Sequence, residues 1–421
     1  MSSHPFRPLR RRSVLLVWGA GLFSDVGTWV QLIVVGSLVA KSTGSALYTG
    51  LTALALFTPQ GLCAPIGGLL ADRIDRRKVF VAALCGQACA TAILAAVLAA
   101  GYRAPLGLSA IIVFSSAAGA IGQPAFSAML PDLVPQEELL AMVSLGIYSW
   151  NAGRIFGPLL GTVLVALVGP AWTVGFNAFT FAAMAGAIWM LRRRSFAPPG
   201  TEAEGIVARL REGWHAMQRV PGCRYGIVII MLLNLSVGPF MGLIPIYAKE
   251  AFQGGTGLAG AFSALQGGGA IIGGLVFTAF AITLGRGRML RFAFLAMIVA
   301  YVVYALAPTS IIAGAAIIWM GAGSASIFTS GMAIVQRDAP AGERGRVLSI
   351  TQCAMGFCYG IGILWIAVLG DLTSLRIAFL AAATFACVFA FAATRRAVGW
   401  RSVVDDAPVE QVSPASVAAV G

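Results

Sequence analysis

A run of about 20 predominantly apolar residues is long enough to cross a lipid bilayer as a helix. In this chain of 421 residues such runs follow one another almost without pause. Hydrophobic residues make up 58% of it and charged residues only 11%, where a soluble domain carries about a quarter charged. Mean hydropathy is +0.86. The sequence therefore predicts an all-α polytopic membrane protein. Twelve spans are expected, at 14–40, 47–70, 79–101, 106–129, 140–168, 171–191, 224–247, 257–283, 289–307, 311–335, 347–369 and 374–394. The connections are short except for 192–223, which is polar, contains Pro198-Pro199 and runs into "IVARLREGWHAMQRV". The helical periodicity of that stretch suits a linker helix between halves, or one lying on the membrane surface. The chain thus divides into an N-terminal tail (1–13), a six-helix half (14–191), a linker (192–223), a second six-helix half (224–394) and a C-terminal tail (395–421). No cleavable signal peptide is expected. The basic start leads into an apolar run that is too long and lacks a small-residue cleavage site.

Positive charge orients such a protein, because Lys and Arg are retained on the cytoplasmic side. Twelve spans place both termini on one side, and that side collects 24 of the 29 Lys and Arg. Among them are Arg10 to Arg12, Arg73, Arg76, Arg77 and Lys78, and seven Arg between 192 and 224. The other side holds Lys41, Arg103, Lys249 and Arg376, and Arg154 alone falls inside a span. Both termini are expected in the cytoplasm of a bacterium, with the chain in its inner membrane. The net charge of +13 reads as an orientation signal rather than a nucleic-acid footprint. The seven cysteines lie in or beside apolar segments without a CxxC pair, and there are two histidines. Neither metal nor disulfide chemistry is expected. "GxxxxGK[ST]" is absent, and "GGGAIIGG" lacks the strand context of a dinucleotide site. The chain is therefore expected to be neither an enzyme nor a holder of a cofactor.

The halves resemble each other. "LVPQEELLAMVS" (133–144) precedes span five and "DAPAGERGRVLS" (338–349) precedes span eleven. Pro135 and Pro340, Glu138 and Glu343, Ser144 and Ser349, and Gly68 and Gly273 all align at an offset of 205. Repeated halves of this kind mark transporters whose substrate site lies between them near the midplane.

Between spans two and three, "GGLLADRIDRRKV" (67–79) packs six charges into seven residues. Gly68, Leu70, Ala71, Asp72, Arg73, Arg76 and Arg77 resemble the loop motif of the major facilitator superfamily, with Asp75 where that motif usually has glycine. The "ADRxDRR" form resembles the branch holding siderophore exporters, macrolide-efflux proteins and other bacterial drug exporters. "QPAFSAMLPDLVPQEEL" (123–139) and "NAGRIFGPLLG" (151–161) resemble that branch at the exit of span four and in span five. Gly153, Gly157, Pro158 and Gly161 match the span-five signature of facilitator antiporters, whose final glycine is here Thr162. The resemblance implies a major facilitator fold. It also implies export of amphipathic molecules (drugs, or a natural product such as a siderophore) in exchange for protons. It places Asp72 as a gating residue that docks on the other half. No basic residue occurs between Arg103 and Arg154 to pair with Asp72 from span four, and the second copy of the loop has shrunk to "GRGR" (285–288).

Two deep charges stand out from the residues themselves. Asp25 lies 11 residues past Val14, about 16 Å into span one at the helical rise. It is the only one of 16 acids placed at depth. Arg154 sits about 18–22 Å into span five by the same rise. An ionisable group at such depth is costly unless paired or hydrated, and marks function by default. Burial favours the neutral carboxyl and a neighbouring cation favours the carboxylate, so the two together would poise an acid for proton exchange. Three readings remain open: a coupling pair, a static buried pair, and a substrate contact. Phe23, Trp29, Tyr148, Trp150, Phe240, Tyr359 and Trp365 are candidates to line a cavity. "GPLLG" in span five and "LQGGGAIIGG" (265–274) in span eight are expected to meet across the halves. The expected partners are a small-molecule substrate, protons and the lipid bilayer, for a chain working as a monomer. The competing classes are an importer of a small metabolite and a non-transporting membrane sensor.

Overall fold

The computed structural model describes residues 6–191, 206–236, 238–284, 286–340 and 343–396. Residues 1–5 of the N-terminal tail, 192–205 of the linker and 397–421 of the C-terminal tail lie outside them. Among the described residues all regular structure is helical. The first four crossings are α1 (Arg12–Thr43), α2 (Ala46–Arg73), α3 (Arg76–Ala99) and α4 (Pro105–Leu133). Spans five and six form one element, α5 (Leu139–Trp189), which turns at Gly169. Gly169 has φ 79° and ψ 170°, a conformation open to glycine alone without strain. Pro170 follows it at the first position of the new helix, where its missing N–H costs nothing. A separate helix, α6 (Ile206–Arg219), precedes the second half.

Span seven departs from the expectation of one helix. It is two, α7 (Pro221–Ser236) and α8 (Phe240–Phe252). Pro239 stands four residues after Leu235 and has no N–H to give its carbonyl. The Trp365 indole donates to that carbonyl instead, at 2.8 Å, so the break is satisfied by a side chain from span eleven. The remaining crossings are α9 (Thr256–Leu284), α10 (Arg286–Leu306), α11 (Ser310–Asp338), α12 (Arg344–Leu372) and α13 (Leu375–Arg396).

Among the described residues these helices make twelve crossings in two six-helix halves. In the first half α1 packs on α5, and α2 on α4; in the second α9 packs on α11, and α7 on α11 and α12. The halves meet where α2 lies against α12 and α5 against α9. Small residues set these approaches. A Cβ on Gly61 would stand 2.9 Å from the Gly356 Cα, so α2 and α12 touch backbone to backbone near mid-membrane. Gly67 is pressed against the Ile121 backbone, and Gly273 against Ala322. The same kind of contact thus recurs in the two halves, but the close-packed glycine of span two is Gly67 rather than the Gly68 of the sequence alignment. Gly68 has no neighbour within 4 Å of an added Cβ.

Candidate functional site

The midplane site is built on the joint between α1 and α5. Ser149, Gly153, Gly157 and Gly161 recur every four residues, so they share one face of α5, and that face meets α1. A Cβ on Gly153 would stand 3.0 Å from the Asp25 Cβ, one on Gly157 2.5 Å from the Trp29 Cβ, and one on Gly161 3.1 Å from Ile33 Cγ2. The span-five glycines thus let α1 lie directly on α5. These glycines themselves touch α1 rather than α9, but spans five and eight do meet across the halves as expected, "GPLLG" taking part through Pro158. From span eight Gly260 and Gly267 face α5, at Pro158 and Arg154, while Gly269 faces α11.

Asp25 and Arg154 are brought to one level without forming an ion pair. The Asp25 carboxylate accepts a hydrogen bond from Ser149 Oγ at 2.5 Å. Arg154 donates from Nε to Gln266 Oε1 of α9 at 2.8 Å, and its guanidinium carbon lies 5.9 Å from the Trp29 ring centroid. The reason is rotational. Arg154 is one residue beyond Gly153, so it is turned about 100° away from α1 and points at the other half. Depth along the helix brought the two charges together in the sequence reading; azimuth separates them. The result is an acid held inside the first half and a base that bridges the halves.

Beside them four rings form a chain across four helices. Trp150 lies 5.4 Å from Trp29, Trp29 6.3 Å from Phe57, and Phe57 5.1 Å from Tyr359. A small cavity of about 10 Å³, the size of one water, opens at this seam between Trp29, Thr52, Pro158, Met241, Gly242 and Ser263. Of the aromatic candidates, Trp29, Trp150 and Tyr359 are therefore on the ring chain at the seam, and Trp365 is engaged with the Leu235 carbonyl at the break of span seven. The other three are not on this chain. Phe23 packs edge-on against Phe176 and Phe179 of α5. Tyr148 is half exposed and meets Phe6 of the N-terminal segment. Phe240 is buried among Tyr301 and Tyr304 inside the second half. Ser149, Gln266 and Phe57 were missed in the sequence. Only Ser149 left a signal, its four-residue spacing from Gly153. A buried amide network was missed too: Asn177 donates to Gln31 at 2.7 Å and accepts from Thr180 at 2.9 Å.

The two ends of the bundle differ. At the basic end, Asp75 caps α3 by accepting from the Arg77 and Lys78 amides at 2.9 and 3.3 Å, which accounts for an acid where the superfamily motif has glycine. Arg76 donates to the Ala128 carbonyl of α4 at 3.1 Å, and Arg77 lies 5.0 Å over the Trp189 ring. Asp72 and Arg73 stand beside this group at the end of α2. Gly68 of α2 and Gly345 of α12 face open space there. At the opposite end the halves are clasped. Asp371 of α12 accepts from the Ala46 and Leu47 amides at 2.6 and 3.1 Å and from Ser45 at 2.5 Å. Lys249 of α8 donates to the Ala40 carbonyl at 2.9 Å. An anion thus sits on the N-terminus of α2 and a cation on the C-terminus of α1, as helix dipoles favour.

Twelve spans in two repeated halves, closed together at one end around a midplane site, define a membrane transporter of the major facilitator type. The chain belongs to the transmembrane secretion effector family, which it matches over residues 3–420. It is 27% identical over 403 residues to the MFS-type transporter YfiS of Bacillus subtilis, spanning 89% of this chain and 91% of that one. It is 26% identical over 389 residues to the multidrug efflux pump Tap of Mycobacterium tuberculosis, spanning 90% and 91%. In fold it is similar to the nucleoside transporter NupG, with a TM-score of 0.75 at 14% identity over 91% of this chain and 99% of that one.

Proposed function

We propose that this protein is a secondary active exporter of amphipathic small molecules, driven by proton antiport through alternating access. It sits in the cytoplasmic membrane with both termini inside and works as a monomer. The observation that carries the reading is Asp25, the one acid at mid-membrane, held by Ser149 on the joint where α1 lies on the glycine face of α5. A carboxyl there exchanges its proton when the joint is wetted from one side or the other. Arg154, through Gln266, ties that joint to the second half, so movement of one half against the other is felt at Asp25. The clasped end at Asp371 and Lys249 and the open space at Gly68 and Gly345 suit a state open to the cytoplasm. Asp72, Arg73, Arg76 and Arg77 then gate the opposite, outward-open state by docking on the second half. The basic ends of the helices support the orientation. Similarity to an efflux pump supports the direction of transport.

The test is uptake of radiolabelled compounds into inverted membrane vesicles under an imposed inside-acid gradient, with a lipophilic cation, a macrolide and a catecholate siderophore as probes. Accumulation that a protonophore abolishes is the expected result. Uptake confined to right-side-out vesicles would make the protein an importer, and no gradient-dependent movement of any probe would remove the exporter reading.

A further inference from the structure

Three buried donors at the seam have no partner. Trp29 Nε1, Thr58 Oγ1 and Tyr359 Oη are each shielded from solvent and make no hydrogen bond. They come from three helices, α1, α2 and α12, and all lie near the middle of their spans. Trp29 and Tyr359 are 4% and 6% exposed. Phe57, the residue before Thr58, is the ring that joins them, 6.3 Å from Trp29 and 5.1 Å from Tyr359. Gly360, the residue after Tyr359, brings its Cα against Thr58, so that a Cβ there would stand 2.9 Å from the Thr58 hydroxyl. A Cβ on Gly242 would stand 3.2 Å from Tyr359 Oη, and Gly242 and Trp29 both line the small cavity at the seam.

Buried polar groups in folded proteins are almost always satisfied, and each exception calls for an explanation. An unmade hydrogen bond in a water-free interior destabilises the fold. Unpaired hydroxyls also occur on Ser37, Ser109, Tyr301 and Tyr304, but Trp29, Thr58 and Tyr359 are the ones on or next to the ring chain, on the surface where the halves meet. A tryptophan N–H can only donate, and both hydroxyls have a proton to give. The complementary ligand therefore offers acceptor oxygens on an apolar body that stacks on Trp29, Phe57 and Trp150.

We propose that Trp29, Thr58 and Tyr359 form a hydrogen-bond donor set that receives the carbonyl, lactone or ether oxygens of the transported molecule, and that the substrates are accordingly oxygen-rich amphipaths. This rests on the exporter reading and narrows its substrate class. The donors have no protein partner in the closed seam and become available as the halves separate around the ligand.

The test measures binding of tritiated erythronolide B, a neutral macrolactone without an amine, to the purified full-length protein. The comparison ligand is tetraphenylphosphonium, which has no acceptor. Trp29→Phe, Thr58→Val and Tyr359→Phe are each expected to weaken the macrolactone by about tenfold, the loss of one hydrogen bond, and the affinity ratio between the two ligands is expected to fall by the same factor. Thr58→Val and Tyr359→Phe, which remove an unpaired donor at little change in volume, are expected to leave the melting temperature unchanged or raised, whereas Trp29→Phe also opens a cavity and is read by binding alone. A triple variant that binds the macrolactone within twofold of the parent overturns the donor set. So does an equal loss for both ligands, which would report damage to the ring chain, and so does a lowered melting temperature in Thr58→Val or Tyr359→Phe, which would mean that those hydroxyls are partnered in the protein or by fixed water. If the parent exports the phosphonium but does not bind the macrolactone, the exporter stands and the donor set falls. If it moves and binds neither, both fall.

Discussion

Spans one to six bury a carboxylate with its serine, a guanidinium, and an amide network of Gln31, Asn177 and Thr180. Spans seven to twelve bury tyrosines instead. Tyr247, Tyr301 and Tyr304 are fully buried with Phe240, Phe262 and Phe379, and their rings lie 4.5 to 6.4 Å apart. The Asp, Glu, Lys and Arg residues of the second half stand near helix ends. The halves share a fold and divide the chemistry. On the proposed function, the first carries the groups that exchange a proton and the second is the aromatic block against which they move. Arg154 and Gln266 are the link, one residue from each half. A transporter needs both properties at once, since a proton site must change its surroundings while the bilayer demands that backbone polar groups stay satisfied.

Substitutions that break this division differ in size. The largest effect is expected for Gly157→Leu. The new side chain would begin 2.5 Å from the Trp29 Cβ and 2.9 Å from the Val26 carbonyl, prising α1 from α5 at a cost of at least about 1–3 kcal/mol. Thermal melting in detergent should fall by several degrees and transport should be lost, whereas Gly186→Leu, which meets nothing within 4 Å, should melt as the parent does. Next comes Ser149→Ala. It removes the partner of Asp25, a bond to a charged group worth about 1.5–3 kcal/mol. Substrate-coupled proton flux per folded molecule should drop about tenfold or more beside a modest fall in melting, and a fall in melting with flux per folded molecule unchanged would place Ser149 in packing rather than coupling. A smaller change is expected for Tyr247→Phe in the second half. Its hydroxyl donates to the Tyr304 carbonyl at 2.7 Å, so stability should fall by about 1 kcal/mol while flux per folded molecule holds; a loss of flux would mean that the second half is not a passive block. The smallest is Tyr304→Phe, whose hydroxyl is unpaired. Melting should stay level or rise slightly.

The sequence made the spans, the two halves and the loop motif readable because length, apolar content and charge asymmetry are properties of the chain itself. The break of span seven was hidden because Gly238 and Pro239 interrupt the helix without interrupting its hydrophobicity; the acceptor left at Leu235 is filled from α12, a contact no local pattern announces. The midplane site was half legible. Depth follows from counting residues, so Asp25 and Arg154 were found. Direction requires knowing which face of α5 meets α1, and one residue of helix turns a side chain by about 100°. Four-residue spacing from Gly153 through Gly161 contained that information and placed Ser149, not Arg154, opposite Asp25. The aromatic candidates were sorted only by the tertiary fold. Trp29 and Phe240 are both mid-span rings in apolar helices, yet one lines the seam and the other is sealed among tyrosines.

The central claim is that proton coupling resides on Asp25 at the joint of α1 and α5. The most direct measurement is substrate-induced proton release from energised inverted vesicles, followed with a pH-sensitive dye, for the parent and Asp25→Asn at matched expression and melting temperature. The account predicts a signal in the parent that is absent in the variant, while the variant still binds the substrate. A signal that persists in Asp25→Asn would contradict it, leaving Asp25 as a structural group and moving the coupling site elsewhere.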